Sequence, residues 1–113
     1  MDNNDSVEQA QNAPEPKKGT KHDQGKDDYW LLPYRALQEV IRVLMFGAKN
    51  HGRENWKQLD DPKRRFFNAA QRHLTDWRVG ETFDRETGLH NLAHATCCML
   101  FILWFELVGE KKG

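Results

Sequence analysis

The chain has 113 residues, 38% hydrophobic and 30% charged, which is enough for at most one modest domain. Lysine plus arginine balances aspartate plus glutamate, 17 against 17, so no net field recruits nucleic acid or an anionic membrane. The two cysteines, Cys97 and Cys98, are neighbours and cannot staple a fold, which points to a reducing, cytoplasmic setting.

Residues 1–25 are rich in Asn, Asp, Gln, Lys, Pro and Gly and nearly devoid of apolar side chains. Such a stretch buries too little surface to offset its ordering entropy and reads as a disordered tail. It lacks the apolar segment of a signal peptide. A helical domain is expected over 26–110, entered through the apolar anchor Tyr29, Trp30, Leu31 and Leu32 and opened by Pro33.

The first helix is expected over 33–49, with Leu37, Val40, Ile41, Leu44 and Ala48 as its inner stripe. Ala36, Val43 and Phe46 widen the apolar surface as far as Glu39. That carboxylate either pairs with Arg35 or Arg42 at the edge, or faces inward toward a metal or cation. A loop follows. Gly47 and Gly52 permit close approach to a ligand, Lys49 and Arg53 suit phosphates, and Trp56 suits a base. The competing reading makes Trp56 a cap on the core. Asn55 and Lys26 complete the candidate substrate-binding set.

Asp60, Asp61 and Pro62 start a second helix that Gly80 stops. Its expected inner face is Phe66, Ala69, Ala70, Leu74 and Trp77, with His73 in the middle and Asp76 at the edge, where a carboxylate can fix a histidine tautomer. The loop 80–88 carries Glu81, Asp84 and Glu86. The third helix, expected over 89–108 and ended by Gly109, is apolar nearly all round. Its uninterrupted apolar run, 95–105, is shorter than the roughly 20 residues that span a bilayer. His90 and His94 sit one turn apart and share a stripe with Cys97 and Phe101. His90 is nearer the acidic loop and is the favoured site residue of the two. A helix this apolar needs neighbours on most sides, so the chain is expected to form a homo-oligomer.

No Walker, GxSxG, HExxH or Rossmann pattern is present. Taken singly, each of these polar residues has a structural explanation. Taken together, Glu39, His73, Asp76, Glu81, Asp84, His90 and His94 are too many titratable groups on inward faces for a plain core of this size. Carboxylates on separate elements suit Mg²⁺, imidazoles shift preference toward Mn²⁺, Fe or Zn²⁺, and the basic loop suits a nucleotide. Metal-assisted phosphoryl chemistry fits best.

The segments GKDDYWLLP, ALQEVIRVLMFGAKNHGRENW and RHLTDWRVGETFDRETGLHNLAHA, with the apolar helix after them, resemble the phage-type dATP/dGTP diphosphohydrolase N-terminal family. That family stands near the MazG-like nucleoside triphosphate pyrophosphohydrolases. The resemblance implies an all-α, MazG-like bundle that hydrolyses deoxypurine triphosphates to monophosphate and pyrophosphate in the cytoplasm of an infected bacterium. It also implies a divalent metal, Mg²⁺ foremost, and an oligomer. Glu39, Glu81 and Asp84 would hold the metal, and His73, Asp76, His90 and His94 would serve the chemistry. Of the ExxE and ExxD pairs of such enzymes, the first helix supplies only Glu39, with Arg42 one turn on, and Glu81 and Asp84 form an ExxD within a loop. A phage protein that binds or sequesters nucleotides or nucleotide second messengers is the alternative.

Overall fold

The computed structural model describes Gly19 and residues 22–109, in two compact units, Met1–Pro33 and Tyr34–Gly113. The tail expected over 1–25 lies largely outside the described residues. In the first unit, Lys26 N–H donates to the Asp23 carbonyl at 3.0 Å. A 3-10 turn, Tyr29–Leu31, follows, and the Asp28 carboxylate accepts from Trp30 N–H at 3.1 Å. That bond satisfies a donor which the first turn of any helix leaves open.

The second unit is built of three helices: α1, Tyr34–His51; α2, Pro62–Arg78; and α3, Asn91–Val108. A 3-10 turn, Asn55–Gln58, lies between the first two. Among the described residues there is no strand, only an isolated antiparallel bridge between Phe83 and His90. The all-α class and all three helices agree with the sequence reading, with ends shifted by one or two residues, as is usual at helix termini.

The third helix is the axis of this unit, because α1 and α2 each pack on it rather than on one another. Val40 of α1 meets Ala93 and Cys97 of α3, with Val43, Leu44 and Phe101 around them. Ala93, Ala95, Cys97 and Cys98 are all buried, and their small side chains let neighbouring elements come close. Phe105, at 1% exposure, is the largest fully buried side chain, worth about 3 kcal/mol in area removed from water. A Lys63–Glu106 ion pair at 3.0 Å joins the start of α2 to the end of α3, and His73 meets Asn91 at the other end, so the two helices run antiparallel.

Two inner stripes differ from those expected. On α2, Leu74 at 37% and Trp77 at 43% exposure lie at the edge of the face, while Phe66, Ala69, Ala70, His73 and Asp76 turn inward. The inward-facing His73 makes a hydrogen bond to Asn91 of α3. On α1, Ile41 is exposed and Gly47 joins the half-buried face. By length and composition the full α3 is long and apolar enough to cross a membrane, unlike the shorter run 95–105. Its first half packs between α1 and α2 around the buried, hydrogen-bonded Asn91, while 28% of the span is buried overall and Met99, Leu103 and Leu107 are open.

Candidate functional site

The loop between α2 and α3 is a small folded unit. Asp84 N–H donates to the Leu89 carbonyl and Asn91 N–H to the Thr82 carbonyl, both at 2.8 Å, which closes the loop on the start of α3. The Asp84 carboxylate accepts from the backbone N–H groups of Glu86 at 3.1 Å and Thr87 at 2.9 Å. Gly88, at φ 75°, makes the return turn that a residue with a Cβ rarely adopts. The loop that the sequence marked only as acidic is therefore wound around Asp84.

Asn91 is fully buried and paired at both ends of its amide. Its Nδ2 donates to the Glu81 carbonyl at 2.8 Å, and its Oδ1 lies 2.8 Å from His73 Nδ1. Since Nδ2 must face the carbonyl, Oδ1 accepts, and the His73 proton sits on Nδ1. The Asp84 carboxylate, 3.8 Å from the same nitrogen, favours a proton there. In that tautomer the His73 lone pair is on Nε2.

The imidazole of His94 stacks on that of His73, with centroids 4.5 Å apart and 11° between planes. His94 Nε2 is 2.7 Å from the Thr87 hydroxyl, which also accepts from Leu89 N–H. Burial opposes ionisation of Asp84, but the Thr87 N–H and hydroxyl, with His94 and His73 beside them, hold its carboxyl below the usual range. With the hydroxyl proton directed at Asp84, Thr87 accepts from His94 Nε2–H, and the His94 lone pair is on Nδ1. Burial lowers the pKa of His94, the neighbouring His73 lowers it further, and Asp84 opposes both. The result is a carboxylate held ionised beside two stacked imidazoles, of which His94 is biased toward its neutral form.

His90 has a different post. Its Nδ1 accepts from Leu92 N–H at 3.0 Å, which caps α3, and its ring meets the edge of Phe83. His94, not the sequence-favoured His90, belongs to the stacked pair. Asp76 turns inward, yet the carboxylate beside His73 is Asp84. Thr87 and Asn91, which complete the cluster, were not singled out from the sequence. The one available signal was that Asn91 lies three residues before His94, on the same side of a helix otherwise almost free of polar groups.

The three carboxylates considered for a metal are engaged separately. Glu39 accepts from Arg35 at 2.6 Å and Arg42 at 2.8 Å. Chiefly through Arg35, against some opposing burial, its carboxyl lies below the ordinary value. Glu81 is paired with Arg85 at 2.6 Å. Among the described residues no group of three or more His, Cys, Asp or Glu is arranged to hold a metal ion, and Glu39 and Glu81 are each paired with arginine.

A cleft of about 430 Å³ opens between the second half of α1, the 52–59 turn and α3, with His94 and Thr87 in its wall. That size lies within the ~300–1,000 Å³ common for small-molecule sites. Trp56 stacks on Phe101 at 4.0 Å and lies edge-on to Trp104 and Phe105, so it caps the core while lining the cleft. Asn55 also lines it. Lys49 and Arg53 are exposed and do not line it, and Lys26 is exposed in the first unit. Burial pushes the Cys97 thiol up to about 12 and that of Cys98 to about 11, so both are neutral wall groups.

Residues 16–113 match the family described as dATP/dGTP diphosphohydrolase, N-terminal, and the chain belongs to that family. It is 41% identical over 86 residues to a dATP/dGTP diphosphohydrolase of Salmonella phage PMBT28. The match covers 76% of this chain and 29% of that protein, so the chain spans less than a third of its relative's length. No solved structure matches the chain.

Proposed function

We propose that this member of the dATP/dGTP diphosphohydrolase N-terminal family hydrolyses deoxypurine nucleoside triphosphates, dATP or dGTP, to the monophosphate and pyrophosphate. The observation that carries this reading is the chain Asp84–Thr87–His94, backed by His73 and opening on a ligand-sized cleft. A neutral imidazole with one nitrogen tied to a hydroxyl and the other free is the arrangement a general base needs, a role worth about 10²–10⁴-fold in rate. In this reading His94 Nδ1 takes the proton of the attacking water. Thr87 and Asp84 stabilise the imidazolium that results. Lys49 and Arg53 meet the phosphates from outside the cleft.

The name of the phage relative supports the substrate class. A divalent metal, Mg²⁺ or Mn²⁺, remains part of the proposal as a requirement to be measured, and no step is routed through it because the described donors do not assemble. The homo-oligomer is likewise proposed, on the exposed α3 positions Met99, Leu103 and Leu107, each at least half open to solvent. The setting proposed is the cytoplasm of an infected bacterium. The test is pyrophosphate release from dATP, dGTP, dCTP and dTTP with Mg²⁺, Mn²⁺ or EDTA. Absence of product from all four, despite measurable binding, overturns hydrolysis.

A second reading, nucleotide sequestration without turnover, is favoured by the commitment of Glu39 and Glu81 to arginines. Tight binding undiminished by EDTA, with no product, selects it.

A further inference from the structure

Gly47 sits inside the helical span of α1, where glycine weakens a helix relative to alanine. The fold offers no steric reason for it. Its φ is not in the left-handed region, and a Cβ built there would meet nothing within 4 Å. Gly47 is instead part of the cleft wall, half-buried and facing space that no other element fills. A residue costly to the helix and unnecessary to the packing points to an occupant of that space.

The chemistry of the walls says what kind. Val43, Leu44, Phe66 and Phe101 are apolar, and Cys97 and Cys98 stay protonated, so this wall suits an uncharged ring, while the groups able to donate to a phosphate are His51, Asn55, Thr87 and His94. The lining also holds two carboxylates: Glu54, paired with Lys57 at 3.2 Å, and Glu86, which can accept from an amino group. Lys49 and Arg53 lie outside the lining although their neighbours Ala48, Gly52 and Glu54 belong to it. A nucleotide is then oriented with its uncharged ring against the apolar wall beside Gly47, its α-phosphate at the Thr87 and His94 end, and its outer phosphates toward solvent.

We propose that this cleft is the base-binding pocket of the nucleotide site, and that Gly47 holds it open for an amino-bearing purine. The proposal rests on the nucleotide reading above and adds the pocket, the orientation and a specificity element. Adenine and guanine both carry an exocyclic amino group that Glu86 can accept from, whereas thymine has none. Trp56, its face occupied by Phe101, acts as a wall and not as a stacking platform on that side.

The test is calorimetry of wild type, Gly47→Ala and Gly47→Leu with dATP, dGTP, dTTP and tripolyphosphate, alongside thermal melting. Gly47→Ala is expected to raise the melting temperature by a few degrees, because alanine favours helix, while weakening dATP and dGTP binding. Gly47→Leu should weaken both by more than about tenfold, the size of effect that separates a blocked pocket from noise. Tripolyphosphate affinity should be unchanged in both variants, and wild type should bind dTTP less tightly than dATP. Wild-type dATP affinity in a folded Gly47→Leu protein overturns the pocket and leaves the nucleotide reading standing. Loss of tripolyphosphate together with dATP also overturns the proposed orientation. Failure of wild type to bind any of the nucleotides overturns the nucleotide reading itself.

Discussion

The imidazoles of His73 and His94 lie face to face, 4.5 Å between centroids and 11° from parallel, one from α2 and one from α3. Stacked rings of this kind do not readily hold two charges, so protonation of one opposes protonation of the other. His73 has Asp84 and Asn91 at Nδ1, and His94 has Thr87 at Nε2. The pair joins two helices.

This arrangement fixes the sign of the pH dependence. The native pKa of His94 is below its ordinary 6.5, first through burial and then through His73, and that of Asp84 is below its ordinary 3.8. In both cases the unfolded chain binds more protons than the native one, so stability falls as pH falls. Melting temperature should be flat above about pH 6.5, decline below it as His94 takes a proton, and decline again below about 3.8. His94→Gln should remove the first decline and keep the second. An unchanged profile in that variant would show that His94 is not the group responsible.

Asn91 should be the most sensitive polar position. Asn91→Leu leaves the His73 N–H and the Glu81 carbonyl without partners, each costing about 1–3 kcal/mol when buried. Chemical denaturation measures the loss. Asn91→Asp retains an acceptor for His73 but no donor for Glu81, so it should restore the His73 ring resonance pattern in NMR without restoring full stability.

Much of this was legible in the sequence because the signals were local. Pro62 after two aspartates, and Gly109 after an apolar run, bounded helices at the places observed. The pairing of His73 with Asn91 was not legible, since it joins residues 18 apart across two helices and depends on how α2 rotates. Apolar periodicity puts Leu74 and Trp77 on the inner face, and both lie at its partly exposed edge. The choice of His90 followed sequence distance to Glu81 and Asp84. A helix cap claimed its Nδ1, and the loop folded back far enough to bring Thr87 to His94.

Trp56 was assigned two roles from sequence, base platform and core cap, and the geometry separates their consequences. It packs on Phe101, Trp104 and Phe105, with the Lys57 ammonium 5.4 Å from its ring. Trp56→Ala should cost about 3 kcal/mol, at the low end for such truncations because the residue is only half-buried. Trp56→Phe should recover most of that stability. If the ring is a wall of the cleft, Trp56→Phe should also keep dATP affinity within a few-fold of wild type. A large loss of affinity in a stable Trp56→Phe protein would return the ring to the role of base platform.

The carboxylates provide the sharpest division between metal-centred and base-centred chemistry. If Glu39, Glu81 and Asp84 together held a catalytic ion, Gln or Asn at any of the three would abolish turnover alike. The geometry predicts inequality. Glu39 is held by Arg35 and Arg42, and Glu81 by Arg85, in exposed pairs of the kind that contribute little to stability. Glu39→Gln and Glu81→Gln should therefore leave melting temperature nearly unchanged and pyrophosphate release from dATP within a few-fold of wild type. Asp84 organises the loop and sits behind both His73 and His94 through two separate contacts. Asp84→Asn should lower the rate by about 10²-fold or more, as loss of support to a general base does, and should move the acidic limb of the pH–rate profile. The measurement is turnover of dATP across pH for the three variants at fixed Mg²⁺. Equal, complete loss in all three, with folding intact, would overturn the base-centred assignment and reinstate the carboxylates as one ion-binding set.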